Sequence, residues 1–330
     1  MKCLLPFEKI KREILVKNDS ETSDKFGKSP IKRTAEELLD YGIINLDKPD
    51  GPTSHQVSAY VKKILRLKKA GHSGTLDPKV TGVLPVALGK STKIVQTLLK
   101  AGKEYVALMH LHKEIPEFDI YKALGEYSGK IKQLPPIKSS VKRRWRTREV
   151  YYTDVIDVIG KDVLFRIGCE AGTYIRKYIH DLGKRLDSGA HMAELRRTKV
   201  GPFREDTLFS LQDLADAFYY YKKEGNEKFI RKVIQPIENA VEHLPKIWVK
   251  DTTVDSICHG APLGVPGISK LESGIEPDQL GAVMTLKGEL ICYGRAKMNS
   301  EQMIKKDSGI AFLTEKVIMD RGVYPKIVRK

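Results

Sequence analysis

Apolar positions along this chain change period several times, and the changes divide it. Residues 1 to about 35 are polar and Lys-rich with no sustained period, and the stretch NDSETSDKFGKSP reads as an extended arm. From Tyr41 the pattern sharpens. GIINL (Gly42 to Leu46) predicts a short strand that runs into a Pro/Gly turn. Ser54 is then placed to cap a helix whose Val57, Tyr60, Val61, Ile64 and Leu65 share one face, with Lys62, Lys63, Arg66, Lys68 and Lys69 on the other face or in the last turn. KEYVALMHLH (103–112) and DVLFRIGCE (162–170) alternate as half-buried strands do, and a polar, basic section lies between them. Thr173 opens a second helix with Ile175, Tyr178, Ile179, Leu182 and Leu186 on one face, and a third amphipathic helix is expected over about 210–223. Beyond Leu244-Pro245 the texture turns to short strands and turns: IWV, GAPLGVPGI, and a hairpin from GAVMTL to LICYGRA around Lys287-Gly288. The pattern therefore predicts an extension (1–35), an α/β body (36–245) and a strand-rich module (246–330).

Composition changes this picture in one respect. The 330 residues carry 58 Lys+Arg against 42 Asp+Glu, a formal charge of +16, which attracts polyanions and makes nucleic acid the leading partner. Residues 246–330 hold thirteen basic and ten acidic residues, so +13 of the +16 lies before them. Cys3, Cys169, Cys258 and Cys292 stand far apart, with no CxxC pair and no zinc-ligand spacing, which reads as a reduced, cytoplasmic chain. No apolar run reaches the roughly 18 residues of a membrane span, and charges interrupt MKCLLPFEKIKREILVK too often for a signal peptide.

The string GHSGTLDPKVTGVLP (71–85) is the richest in chemistry. Gly71 and Gly74 permit sharp turns or close approach, while Pro78 biases Asp77 toward an extended conformation, so the loop displays one carboxylate. Asp-Pro with glycines is also ordinary turn chemistry. A lone carboxylate in a protein suited to RNA repels phosphate, however, and its presence needs a reason.

The whole string resembles the catalytic loop of the TruB family of pseudouridine synthases, with Val80 where Ala is usual. Further motifs follow in the family's order: NLDKPDGPTS (45–54), KEYVA (103–107), GTYIRKYIHDLG (172–183) and LRRTKVGPF (195–203). The resemblance implies an α/β (α+β) catalytic domain on a mixed, mainly antiparallel sheet. It implies uridine-to-pseudouridine isomerisation with Asp77 as nucleophile, Tyr105 packed on the uracil and Arg176 paired with Asp77. It also implies that His72 occupies the space left by the flipped base, that Tyr174 and Leu195 line the pocket, and that Lys48 supports the loop. The chemistry fits these residue types. Breaking the uracil–ribose bond, turning the base and rejoining it through ring carbon 5 needs an ionised carboxylate and a pocket for an unstacked base. Substrate and product are isomers, so no organic cofactor or metal is expected. An adjacent arginine favours the ionised carboxylate when a bound base excludes water, and a tyrosine offers a stacking face and a hydroxyl together.

QLPPIKSSVKRRWRTR (133–148) gathers Lys138, Lys142, Arg143, Arg144, Arg146 and Arg148 around Trp145 with no acidic residue between them, a pattern for an RNA-contacting loop. KRRWRTREVYY and PIKRTAEELLDYGIINLDKP resemble the archaeal and eukaryotic branch of the family, the dyskerin-like enzymes that work with box H/ACA guide RNA. Residues 247–330 resemble a PUA β-barrel, which implies docking of an RNA 3′ region. Three readings stay open: a guide-directed enzyme acting on rRNA with small accessory proteins, a stand-alone enzyme acting on the T-loop of tRNA, and a non-catalytic RNA-binding scaffold. Two decoys fall away. LPVALGKST has Leu84 where a P-loop needs its first Gly, and His110 and His112 share a strand face with no third ligand in view.

Overall fold

A computed structural model describes residues 3–135 and 142–326, which form two sheets with helices packed on them. The larger, ten-stranded sheet has the spatial order Gln235–Pro236, Gly42–Lys48, Thr81–Leu88, Ala190–Val200, Lys103–Leu111, Asp162–Cys169, Arg146–Ile159, Gly129–Gln133. The short strands Ala70–His72 and Phe203–Arg204 are added beside this path. Every pairing is antiparallel except the central one between Thr81–Leu88 and Ala190–Val200, which is parallel and matches only Thr81 with Arg196 and Gly82 with Arg197. The sheet is thus two antiparallel halves joined at a narrow seam. Gly82 makes the seam possible: its φ is +101°, and a Cβ there would lie 2.2 Å from the Arg197 carbonyl oxygen.

The helices keep the apolar periods of the sequence but differ in detail. Helix Ser54–Ile64 buries Val57 and Val61, and Leu65 beyond it, whereas Tyr60 of the same expected face is 44% exposed. Its cap is Thr53 rather than Ser54. The Thr53 hydroxyl accepts from the Gln56 N–H, and the Gln56 side chain accepts from the Thr53 N–H. Ser54 faces inward and serves the loop described below. Helix Ile175–Arg185 buries Ile175, Tyr178, Ile179 and Leu182, with Tyr174 at its cap position. Thr173 stays in the preceding turn, where its hydroxyl donates to the Glu170 carbonyl. Helix Leu211–Glu224 is closed by a Ser210/Asp213 capping box and by Gly225 at φ +67°.

The seven-stranded sheet runs Ile14–Val16, Ile268–Glu272, Lys246–Val249, Leu280–Thr285, Leu290–Ala296, Ile310–Val317, Leu263–Gly264. Ile247, Val249, Leu271, Val283, Ile291 and Phe312 fill its core. The expected hairpin is present, turning through Gly288 at φ +85°. The N-terminal arm is laced to both sheets. Leu5 is fully buried and Glu8 pairs with Lys199 of the larger sheet, while Ile14–Val16 becomes an edge strand of the smaller one. Among the described residues no helix is long and apolar enough to cross a membrane.

Candidate active site

Residues 73–80 enter the seam from strand Ala70–His72, and side chains on both flanks fix the backbone around Asp77. The Ser54 hydroxyl accepts from the Leu76 N–H at 2.8 Å and lies 3.3 Å from the Leu76 carbonyl. On the other side Lys48, fully buried, donates to the carbonyls of Pro49, Pro78 and Val80 at 2.8–2.9 Å. All three ammonium protons are engaged, so Lys48 acts on the loop rather than by touching a substrate. With Leu76 and Pro78 held, the Asp77 side chain between them projects outward and is 54% exposed.

Arg176, in the first turn of helix Ile175–Arg185, donates to Asp77 Oδ2 at 2.6 Å across 99 residues of sequence. Arg176 is also well exposed, so the pair stands in an open cleft where a substrate can reach it. Tyr105 is half-buried on strand Lys103–Leu111, directly opposite Arg197 in the register. Burial pushes the Tyr105 hydroxyl above its ordinary value; the nearby Arg197 guanidinium, which is hydrogen-bonded to it, opposes this. Burial likewise lowers the Lys48 ammonium, with Asp50 working against the shift. His72 ends the strand before the loop; its Nδ1 accepts from the Gly74 N–H at 3.4 Å, and burial holds it below the usual imidazole range. Tyr174 is fixed through its backbone, which exchanges two hydrogen bonds with the buried Gln133 amide at 3.0 and 3.2 Å. Leu195 is half-buried beside Ala107.

A cavity of about 510 Å³ adjoins this centre, lined by Arg176 and His180 of the helix, Arg143 and Trp145 of the basic section, and His191 and Met192 of strand Ala190–Val200. The structure therefore brings Arg143 to the same cavity as Arg176. Lys142 and Arg144 are exposed, Arg146 folds back to the Lys142 carbonyl, and Arg148 is paired with Glu170 at 3.3 Å. Residues 136–141, Lys138 among them, lie outside the described residues.

One residue that sequence reading passed over is central. Arg197 is 1% exposed, and its guanidinium donates to the Val83 carbonyl at 2.7 Å and the Gly74 carbonyl at 3.4 Å besides bonding Tyr105. It joins the loop, the seam and the tyrosine. A signal was present: adjacent residues on a strand face opposite ways, so one arginine of Arg196-Arg197 must point inward. Arg196 points outward to Asp47 and Glu205. The paired histidines also acquire a neighbour that the strand pattern did not suggest. His112 meets His191 at 3.1 Å, and His110 bonds Asp162 at 2.7 Å. Among the described residues no group of three or more His, Cys, Asp or Glu is arranged to hold a metal.

The site is thus a bent loop that displays an arginine-paired carboxylate at the centre of a mixed sheet, beside a tyrosine hydroxyl. Family models match in succession: a DKCLD domain over residues 3–58, the N-terminal domain of TruB family pseudouridylate synthase over 62–175, the C-terminal domain of tRNA pseudouridylate synthase B over 176–242, and a PUA domain over 245–328. The class these define is an RNA-modifying isomerase, a pseudouridine synthase with a C-terminal PUA domain. The probable tRNA pseudouridine synthase B of Pyrococcus furiosus is 57% identical over 329 residues, covering 99% of this chain and 96% of that protein. Its counterpart in Methanopyrus kandleri is 53% identical over 322 residues, covering 98% and 95%. Among solved structures, a chain of a Cbf5-Nop10-Gar1 complex superposes with a TM-score of 0.94 at 57% identity, covering 98% of this chain and 99% of that one. A chain of an H/ACA ribonucleoprotein bound to a substrate RNA containing 2′-deoxyuridine gives 0.92 at 55% identity, with 98% and 99% covered. The chain belongs to the TruB family of pseudouridine synthases.

Proposed function

We propose that Asp77 is the nucleophile of the isomerisation, held by Arg176, with Tyr105 packed on the uracil, and that the enzyme works as the catalytic subunit of a box H/ACA guide ribonucleoprotein on rRNA. The 2.6 Å contact between Arg176 and Asp77, on a loop fixed from both sides, carries this reading. The carboxylate opens the uracil–ribose bond, the base turns, carbon 5 bonds to the anomeric carbon, and the proton of carbon 5 is lost as the ring nitrogen regains one. Atoms balance with no donor or oxidant. Burial raises the Tyr105 hydroxyl, so at neutral pH it remains a phenol and serves as a stacking face and O–H donor rather than as a base. His72 fills the space the base leaves, while Tyr174 and Leu195 bound the pocket. Lys142, Arg143 and Arg144 contact RNA as exposed cations next to a stacking tryptophan, and the half-buried Arg146 joins them.

Support for the guide-directed reading comes from solved relatives 55–57% identical over nearly the whole chain: two are described as parts of H/ACA ribonucleoproteins and one as part of a Cbf5-Nop10-Gar1 complex. The relatives named tRNA pseudouridine synthase B support activity on the T-loop of tRNA as a second reading, and one enzyme can do both. A mere scaffold would have no use for a clamped, arginine-paired carboxylate. With all four cysteines free, we place the enzyme in the reducing cytoplasm. Asp77→Asn removes the nucleophile and keeps the shape. Pseudouridine formation on guide-loaded rRNA fragments and on tRNA should vanish while RNA affinity stays within about twofold. Persisting turnover would refute the assignment, and turnover of tRNA alone under every condition would refute the guide-directed reading.

A further inference from the structure

A second recess, of about 330 Å³, opens between helix Ser54–Ile64 and strand Ala70–His72. His55, Ser58 and Lys62 line it from the helix, and Gly71 and His72 from the strand. Positions 55, 58 and 62 fall on one helical face. Opposite that face the strand presents the backbone of Gly71 and the ring of His72.

The chemistry of the recess is one-sided. It holds an ammonium, two imidazoles and a hydroxyl, and no carboxylate lines it. His55 and Lys62 are exposed, and among the described residues neither has a hydrogen-bond or ion-pair partner. The cations around the Asp77 loop, by contrast, are engaged: Lys48 with three carbonyls, Arg176 with Asp77, Arg196 with Asp47 and Glu205. His55 lies in the first helical turn, where the helix dipole adds to the attraction for an anion. The His72 Nδ1 accepts from Gly74, so the neutral ring carries its proton on Nε2 and has a donor to offer. Five residues after His72 the chain reaches Asp77.

We propose that this recess is a subsite for an RNA phosphate beside the target uridine, with Lys62 supplying the charge and His55 and His72 donating to the phosphate oxygens. The proposal rests on the assignment of Asp77 as the reacting group, which places a phosphate next to His72 beside the flipped nucleotide.

The test is steady-state kinetics on whichever RNA the wild-type enzyme converts, repeated at several salt concentrations. His55→Ala with Lys62→Ala should raise KM about tenfold, lower kcat less than twofold, and reduce the slope of log KM against log salt by about one. Lys62→Arg should restore most of the loss. Lys63→Ala, the same charge change one residue away and outside the recess, should have little effect. The proposal is overturned if the double variant leaves KM and slope unchanged. It is also overturned if Lys63→Ala matches Lys62→Ala, which would mean a diffuse field, or if kcat falls while KM stays, which would mean a displaced loop. An enzyme whose Asp77→Asn form still turns over would sink the functional reading instead; RNA affinities of the same variants would then decide the recess separately.

Discussion

In the ten-stranded sheet Lys48, Lys103 and Arg197 are buried, and each donates to main-chain carbonyls. Lys48 holds the loop after Asp77, Lys103 closes the end of helix Val95–Lys100 through Leu98, Leu99 and Ala101, and Arg197 holds the seam. In the seven-stranded module the buried polar groups among the described residues are Asp255, Ser269, Thr285, Glu289 and Ser300, with no lysine or arginine. The difference follows from backbone geometry. The parallel contact of the smaller sheet, Lys246–Val249 with Leu280–Thr285, matches four residue pairs, whereas a two-residue seam and a loop bent to display one side chain leave carbonyls without ladder partners. A long cation reaches several of them at once, at the cost of burying its charge. Two of these buried cations, Lys48 and Arg197, sit where the fold departs from regular pairing around the Asp77 loop, and Lys103 sits at a helix end.

Arg197→Met keeps an unbranched stem and removes the guanidinium with every donor, freeing the carbonyls of Val83 and Gly74 and the Tyr105 hydroxyl. Displacing that loop by about 1 Å should lower kcat at least about 100-fold, with KM for RNA changing much less. An unchanged kcat in single-turnover assays would show that Arg197 is filler. His243, between the two regions, tests whether their junction depends on a neutral group. It meets Phe7 of the arm edge-on, and burial pushes it down to about 4 from its ordinary 6.5. Between those values the unfolded chain binds a proton that the folded protein refuses. Stability is therefore intact above pH 6.5 and falls toward pH 4, by up to about 3 kcal/mol. Thermal melts across that window should show the slope, and His243→Phe should flatten it; parallel curves would disprove the role. The smallest effect is expected in the barrel. Glu289 accepts from Tyr324 at 2.8 Å and lies 3.3 Å from the Thr285 hydroxyl, so Glu289→Gln should cost about 1 kcal/mol of stability. Its kcat should match wild type, and a loss there would erase the division between the regions.

Much of this was legible in the chain. Strands over 103–112 and 162–170, the helices after Thr53 and Tyr174, and the hairpin at Gly288 follow from periods of 2 and 3.6 and from turn chemistry, which are local. Ser54 and Thr53 could not be separated in the same way, because both can cap and only the position of Leu76 shows which one turns inward. Arg196 and Arg197 differ equally little in sequence, yet one is exposed to two carboxylates and the other is sealed beneath the loop.

By itself the sequence determined the elements and the positive surplus before residue 246, which depend on neighbouring residues or simple counts, and its motifs named the site residues through their resemblance to a family. Tertiary structure alone decided which charges are engaged and which remain available. Arg176 reaches Asp77 across 99 residues, Lys48 reaches Val80 across 32, and His55 and Lys62 face a recess without a carboxylate. The reason is physical: a charge acts through its distance to partners and its access to water, and chain folding sets both.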